Sequence, residues 1–321
     1  MSIDAATVVV PTRNRPELLS VGLRSIFAQR DVNLEIIVID DGSRRVLSHD
    51  CPEVRDPRVR VIRNEESRGP AEARNQGIAA AANEWLAFCD DDDLWAPTKL
   101  ARQLRLLHET NRRWCYSGTV IVDSALRVVG GGRAPEPQWA HEALLSACVI
   151  PGSCSSVIVH ASALHDAGLF DPTFNQLEDW DLWIRLSRTA GLAASDDYPA
   201  VAYRLHGENR TTAAHEALKD FKLIKDRYDP DNDAAGRDLA LFHRWSAWAP
   251  LLGGQRWLAA RAYLRAVRAG DLTSLGRTAI ALTQPLSRAV VRRLTQADPE
   301  YQKLAEAWLL AYRQKDPVRE S

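Results

Sequence analysis

The chain has 321 residues, 45% hydrophobic and 26% charged, which suits one large α/β domain with an appendage or two modest domains and excludes disorder over most of its length. A formal net charge of -1 gives no overall field toward nucleic acid, so no nucleic-acid partner is expected. No basic N-terminal stretch leads into a long apolar run, no apolar stretch reaches about 18 residues, and Cys51, Cys89, Cys115, Cys148 and Cys154 form no CxxC pair, so we expect a soluble cytoplasmic protein with free thiols.

Short β-branched runs alternate with helical patterns over the first 120 or so positions. The run at 7–10 predicts a strand, 15–29 a helix, 34–40 a second strand and 58–62 a third. Pro70 opens an alanine-rich helix over 70–81, followed by a strand at 84–89 and a helix over 97–110. This alternation implies parallel strands with right-handed crossovers, and ligands then bind beyond the carboxyl ends of the strands. Further on, 114–122, 126–129, 157–160 and 198–205 read as strands, 130–137 as a Gly/Pro loop and 176–189 as a helix. From about 212 the pattern is helical. We expect a unit over 1–211, its nucleotide half about 1–122 and its acceptor half about 123–211, then a helical region over 212–321.

The chemistry gathers at strand ends. Asp90-Asp91-Asp92-Asp93 follows an apolar strand; four adjacent carboxylates repel one another, and a hard divalent cation resolves the repulsion. The plainer reading is a solvated acidic turn. Asp40-Asp41-Gly42-Ser43 follows another strand and makes either a tight turn or an acceptor for a base or ribose. Arg74 lies one turn into a helix and favours either an anion or an ion pair. Glu178-Asp179-Trp180-Asp181 opens a helix: first-turn acids complement the macrodipole, and a carboxylate beside a tryptophan has a raised pKa suited to a general base. Asp181 and Arg185 are spaced to pair. His206 follows a strand and is either a packed histidine or a ligand.

Taken in order, VVVPTRNR, IIVIDDGS, GPAEARNQGI, WLAFCDDDDLW, GLFDP and LEDWDLWIRL resemble family 2 glycosyltransferases over roughly residues 5–210. The resemblance implies an α/β fold of the GT-A type, a Rossmann-like mixed sheet flanked by helices with a helical C-terminal region, and inverting transfer from a nucleoside-diphosphate sugar to a hydroxyl of a glycan or lipid-linked glycan in cell-surface polysaccharide synthesis. By its motifs, Pro11, Thr12 and Arg15 line the nucleotide site, Asp40 with neighbouring Asp41 meets the base, and Arg74 lies near the diphosphate. Asp90 faces ribose. Asp92 takes Mn²⁺ or Mg²⁺, with His206 completing the metal shell. Asp179 is the base. The run of four aspartates also admits a register shifted by one, to Asp91 and Asp93. Ser153, Glu178 and Trp180 fall on the acceptor side.

Between Arg244 and Arg293 stand nine arginines and one acid, Asp271, interleaved with Trp245, Trp248, Trp257 and Tyr263. Such helices either lie on an anionic membrane or pack as a cap with solvated arginines; a dimer interface is the third option, and the oligomeric state is open. Two rival functions are a nucleotidyltransferase, against which stands the absence of a glycine-rich loop after the first strand, and a non-catalytic nucleotide-sugar binding module, which has no need of a base.

Overall fold

The valine and isoleucine runs near the N-terminus have no polar face, so their strands must be covered on both sides. In the computed structural model, which describes residues 4–205, 214–230, 235–247, 250–251, 255–283 and 298–313, they are. β1 (Ala5–Thr12), β2 (Asn33–Asp41), β3 (Val59–Asn64) and β4 (Trp85–Phe88) run parallel in the order β3-β2-β1-β4. The sheet then turns mixed. β8 (Val157–His160) lies antiparallel between β4 and β6 (Trp114–Val122). β9 (Ala194–Arg204) is parallel to β6, and β5 (Leu94–Trp95) pairs with β9 at the far edge. β7 (Val128–Gly132) pairs antiparallel with β6.

The helices up to residue 246 are α1 (Pro16–Phe27), α2 (Leu47–Asp50), α3 (Pro70–Ala80), α4 (Lys99–Thr110), α5 (Pro137–Ala143), α6 (Ala161–Ala167), α7 (Glu178–Thr189), α8 (Ala214–Tyr228) and α9 (Ala235–Ser246). The two-residue period of a strand sorts the core. Val8, Val10, Ile36 and Val38 face α1 and α4, with Leu19, Leu23, Leu100 and Leu104. Val9, Ile37 and Ile39 face the other way, toward Ala73 and Ile78 of α3. Gly77 lets α3 approach this closely: a Cβ there would lie 2.2 Å from a Val9 methyl.

Beyond residue 212, α8 and α9 join the α3-side core, whereas the helices Arg256–Arg268 and Ser274–Thr283 build small cores of their own around Tyr263, Ala281 and Ala259. Ala217, Phe221 and Ile224 of α8 and Phe242 of α9 pack with Trp180 and Leu182 of α7. The helix Pro299–Arg313 covers the other end of the sheet, where Tyr301, Ala305, Trp308 and Leu309 meet Val120, Val122 and Ala202.

The sequence reading differs from the structure in the middle. Residues 130–132, read as loop, are strand, because their glycines have no side chain to oppose the ladder with β6. Pro137, read as the end of that loop, instead opens α5 over Pro137–Ala143. β5 is too short to leave a period in the sequence.

Candidate functional site

The carboxyl ends of β1 and β4, the N-termini of α3 and α7 and the loop before β8 enclose one cavity of about 780 Å³. On one side of it lie Pro11, Thr12, Arg15, Asp41, Asp90, Asp91 and Asp92. On its other side lie Ser153, Glu178, Asp179 and Trp180, and Arg74 stands between. Asp40 is not on the wall. It is buried, accepts from the Ser43 N–H at 3.0 Å and pairs with Arg63 at 3.0 Å. Its neighbour Asp41 reaches the cavity but is spent on the loop that follows β3, accepting from Asn64, Ser67 and the N–H groups of Arg68 and Gly69 at 2.7–3.0 Å. Burial alone would raise its pKa; the four bonds outweigh that and hold it below the usual carboxylate value.

The four aspartates have four different settings. Asp90 accepts from Arg74 at 2.6 Å, and its N–H donates to Ser155 Oγ at 3.0 Å. Asp91 accepts from Thr12 Oγ1 at 2.7 Å and lies 3.3 Å from Arg15, which also reaches Asp92 at 3.1 Å. Burial first, and repulsion from Asp92 second, push Asp91 up to about 7. Asp93 is fully buried, off the cavity wall, and accepts from the Arg204 N–H at 3.1 Å; burial followed by repulsion from Asp92 raises it well above the usual range. An all-oxygen, mutually repelling set is the chemistry a hard cation takes. Among the described residues no three His, Cys, Asp or Glu side chains are gathered as a metal-holding cluster, and His206 lies outside the described residues.

Of the two readings of Arg74, an anion site or an ion pair, the structure shows the pair, in the cavity lining. Its buried guanidinium spans the cavity floor from Asp90 to Glu178, at 2.6 and 2.8 Å, with Phe170 5.5 Å away. One cation thus ties the strand-end acids to the first residue of α7.

Asp179 is held at both oxygens. Ser153 Oγ donates to Oδ2 at 2.6 Å and the Trp180 N–H to Oδ1 at 2.7 Å. Burial, then repulsion from Glu178, lifts it to about 6, against the Ser153 bond and Arg74, which pull it down. Ser153 reaches it through an unusual turn: Gly152 and Ser153 are both left-handed, at φ 76° and 51°, and a Cβ on Gly152 would lie 2.3 Å from Thr119 Oγ1. Trp180 has its ring in the core, its Nε1 donating to the Leu144 carbonyl at 2.7 Å. Trp183 stacks on Trp114 in the interior, ring centroids 6.2 Å apart. Asp181 pairs with Arg185 at 3.0 Å and accepts from Tyr228 at 2.6 Å, a structural tie between α7 and α8.

Three contributions to the site were not assigned to it from the sequence. Ser155 anchors the Asp90 backbone. Asp220 of α8 is buried and accepts from the N–H groups of Asn175, Gln176 and Leu177 at 2.9, 2.7 and 3.2 Å, fixing the turn that leads into Asp179. Leu241 and Trp245 of α9, one turn apart, form an apolar part of the cavity wall. Each joins the site only through tertiary packing.

Residues 7–130 match the family described as Glycosyl transferase family 2. The chain is 26% identical over 235 residues to the Escherichia coli UDP-Glc:alpha-D-GlcNAc-diphosphoundecaprenol beta-1,3-glucosyltransferase WfgD, covering 73% of this chain and 88% of that one. It is 31% identical over 175 residues to the succinoglycan biosynthesis protein ExoO of Rhizobium meliloti, covering 54% of this chain and about half, 48%, of that protein. Among solved structures it superposes on residues 1–349 of S. aureus TarS with a TM-score of 0.57 at 17% identity, covering 96% and 92% of the two chains. It also superposes on the mannosyltransferase PcManGT of Pyrobaculum calidifontis, in complex with GDP-Man and Mn2+, with a TM-score of 0.55 at 19% identity, covering 98% and 88%. At such identities these two show the shared fold, the GT-A arrangement of mixed sheet and flanking helices. The family match, the relatives and the fold agree, and residues 7–130 carry the glycosyl transferase family 2 match.

Proposed function

We propose that this enzyme moves a sugar from a nucleoside-diphosphate donor to a hydroxyl of a lipid-linked glycan with inversion, Asp179 acting as general base. The observation that carries the reading is the placement of Asp179, a buried carboxylate with its pKa raised to about 6, across one cavity from the acids at the end of β4. A base near neutrality is strong enough to take a hydroxyl proton and still ionised at pH 7. Attack from the Asp179 side on a sugar whose diphosphate leaves toward Asp90–Asp92 is an in-line displacement, which inverts the anomeric carbon.

The carboxylates of Asp92 and Asp90, rather than the internal Asp93, would hold Mg²⁺ or Mn²⁺, which supplies neutralisation of the departing diphosphate. Arg15, within 3.3 Å of Asp91 and Asp92, supplies positive charge at the same place. Arg74 fixes Glu178, and with it the start of α7, relative to Asp90. Support for a lipid-linked acceptor comes from the diphosphoundecaprenol acceptor in the name of WfgD and from the apolar wall formed by Leu241 and Trp245. Among the described residues no helix is long and apolar enough to cross a membrane.

The test is a melting-temperature screen with UDP-, GDP- and dTDP-sugars in Mn²⁺, in Mg²⁺ and in chelator. Ligand that binds the native state raises the midpoint by mass action. We expect one nucleotide class to stabilise the protein, and only with metal. No shift with any donor removes the donor site from this reading, and an equal shift in chelator removes the metal.

A further inference from the structure

Helix Arg256–Arg268 buries the wrong residues for a solvated cap. Its inner stripe is Ala259, Ala260, Ala262, Tyr263 and Ala266, packed near Ala247 and Ala281. Its outer stripe, at regular helical spacing, is Trp257, Leu258, Arg261, Leu264, Arg265 and Arg268. Trp257 is 74% exposed, Leu258 49% and Leu264 38%. Leu272 and Leu275, just beyond the helix, are exposed at 74% and 59%. A large tryptophan and four leucines left in water beside three arginines are unfavourable unless something covers them.

The charge says what covers them. Between residues 244 and 293 the single acid is Asp271, already held by Thr273 and Ser274 and 3.9 Å from Arg244. Among the described residues none of Arg261, Arg265 and Arg268 has an acidic ion-pair partner. A second copy meeting this face would set arginine against arginine. An anionic lipid surface offers phosphates to the arginines and an acyl boundary to the tryptophan and leucines. The stripe is also joined to the site: this helix packs against the end of α9, whose Leu241 and Trp245 stand in the cavity wall.

We infer that the outer face of helix Arg256–Arg268 seats the protein on an anionic phospholipid surface, with Trp257, Leu258 and Leu264 at the headgroup–acyl boundary and Arg261, Arg265 and Arg268 on lipid phosphates. The seating stands on this face alone; its purpose, bringing the cavity to a lipid-borne acceptor, rests on the proposed function.

The experiment is co-sedimentation of the full chain with phosphatidylcholine vesicles and with vesicles that also contain phosphatidylglycerol, at low and high salt. The protein should pellet with the anionic vesicles at low salt and be released by high salt. R261Q/R265Q/R268Q should lower partitioning on the order of 100-fold, and W257S/L258S by roughly tenfold or more. All five positions are exposed and off the cavity wall, so circular dichroism, the donor-induced melting shift and transfer to a short water-soluble acceptor should match the unaltered protein. These readouts keep a failed seat distinct from a failed transferase. The inference is overturned if the protein stays in the supernatant with anionic vesicles at low salt, or if both variants bind as well as the original. A dimer that W257S/L258S dissolves would assign the face to a second copy and overturn it equally.

Discussion

Asp179 has each carboxylate oxygen bonded to a donor on a different element, so its position and its basicity are set together. Asp179→Asn keeps the shape and removes the base; transfer should fall by at least about 10²- to 10⁴-fold while the donor-induced melting shift is retained. Undiminished turnover would remove Asp179 from the chemistry. The protonated acid cannot accept a proton, so kcat/KM should rise with pH through about 6. The Ser153 bond lowers that value, and Ser153→Ala should therefore move the acid limb of the profile to higher pH; a shift downward or none would contradict the assignment. At this scale the sequence was informative where acids follow a strand or open a helix, because the cost of crowding carboxylates is visible in the residues themselves. It was blind to their partners. Whether Arg74 meets an anion or an ion pair is open until Asp90 and Glu178 are seen on either side of it, and Asp40 and Asp41 exchange prominence only once Arg63 is folded against the first.

Among the elements, α8 has a purpose its sequence does not announce. Asp220 takes three backbone N–H groups of the 175–177 turn, and α7, which follows, has no side-chain cap of its own. Asp220→Ala would strand these donors, each worth about 1–3 kcal/mol when buried and unpaired. We expect a lower kcat with little change in donor binding. Asp220→Asn keeps one acceptor oxygen and should recover part of the rate, which steady-state kinetics of the two variants would separate. Equal losses in both would mean that charge, not the bonds, matters. The long strands and helices were legible from period and from Pro70, since both faces of β1 and β2 are filled by unbroken apolar runs. β5, and the glycine end of β7, were not, because their pairing is decided by β9 and β6 rather than by their own residues.

For the whole molecule, β1 and the helix Pro299–Arg313, far apart in sequence, belong to one sheet and its cover. Leu309 is fully buried against the β6–β9 layer, and Trp308 donates its Nε1 to the Pro199 carbonyl at 3.1 Å. Leu309→Ala should cost about 2–5 kcal/mol in denaturant unfolding; a loss near zero would mean that the helix is an ornament on a self-sufficient domain. The sequence showed that this region is helical but not that it finishes the sheet, since the contacts span most of the chain. The same closure bears on how the protein is made. While the ribosome is still adding residues, the Val120 and Val122 face of the sheet lacks Tyr301, Ala305, Trp308 and Leu309, and it stays partly uncovered until the helix Pro299–Arg313 emerges. Synthesis therefore passes through a period in which every residue proposed for the chemistry has been translated but the fold that holds them is unfinished, and that interval is when a chaperone would have most to do.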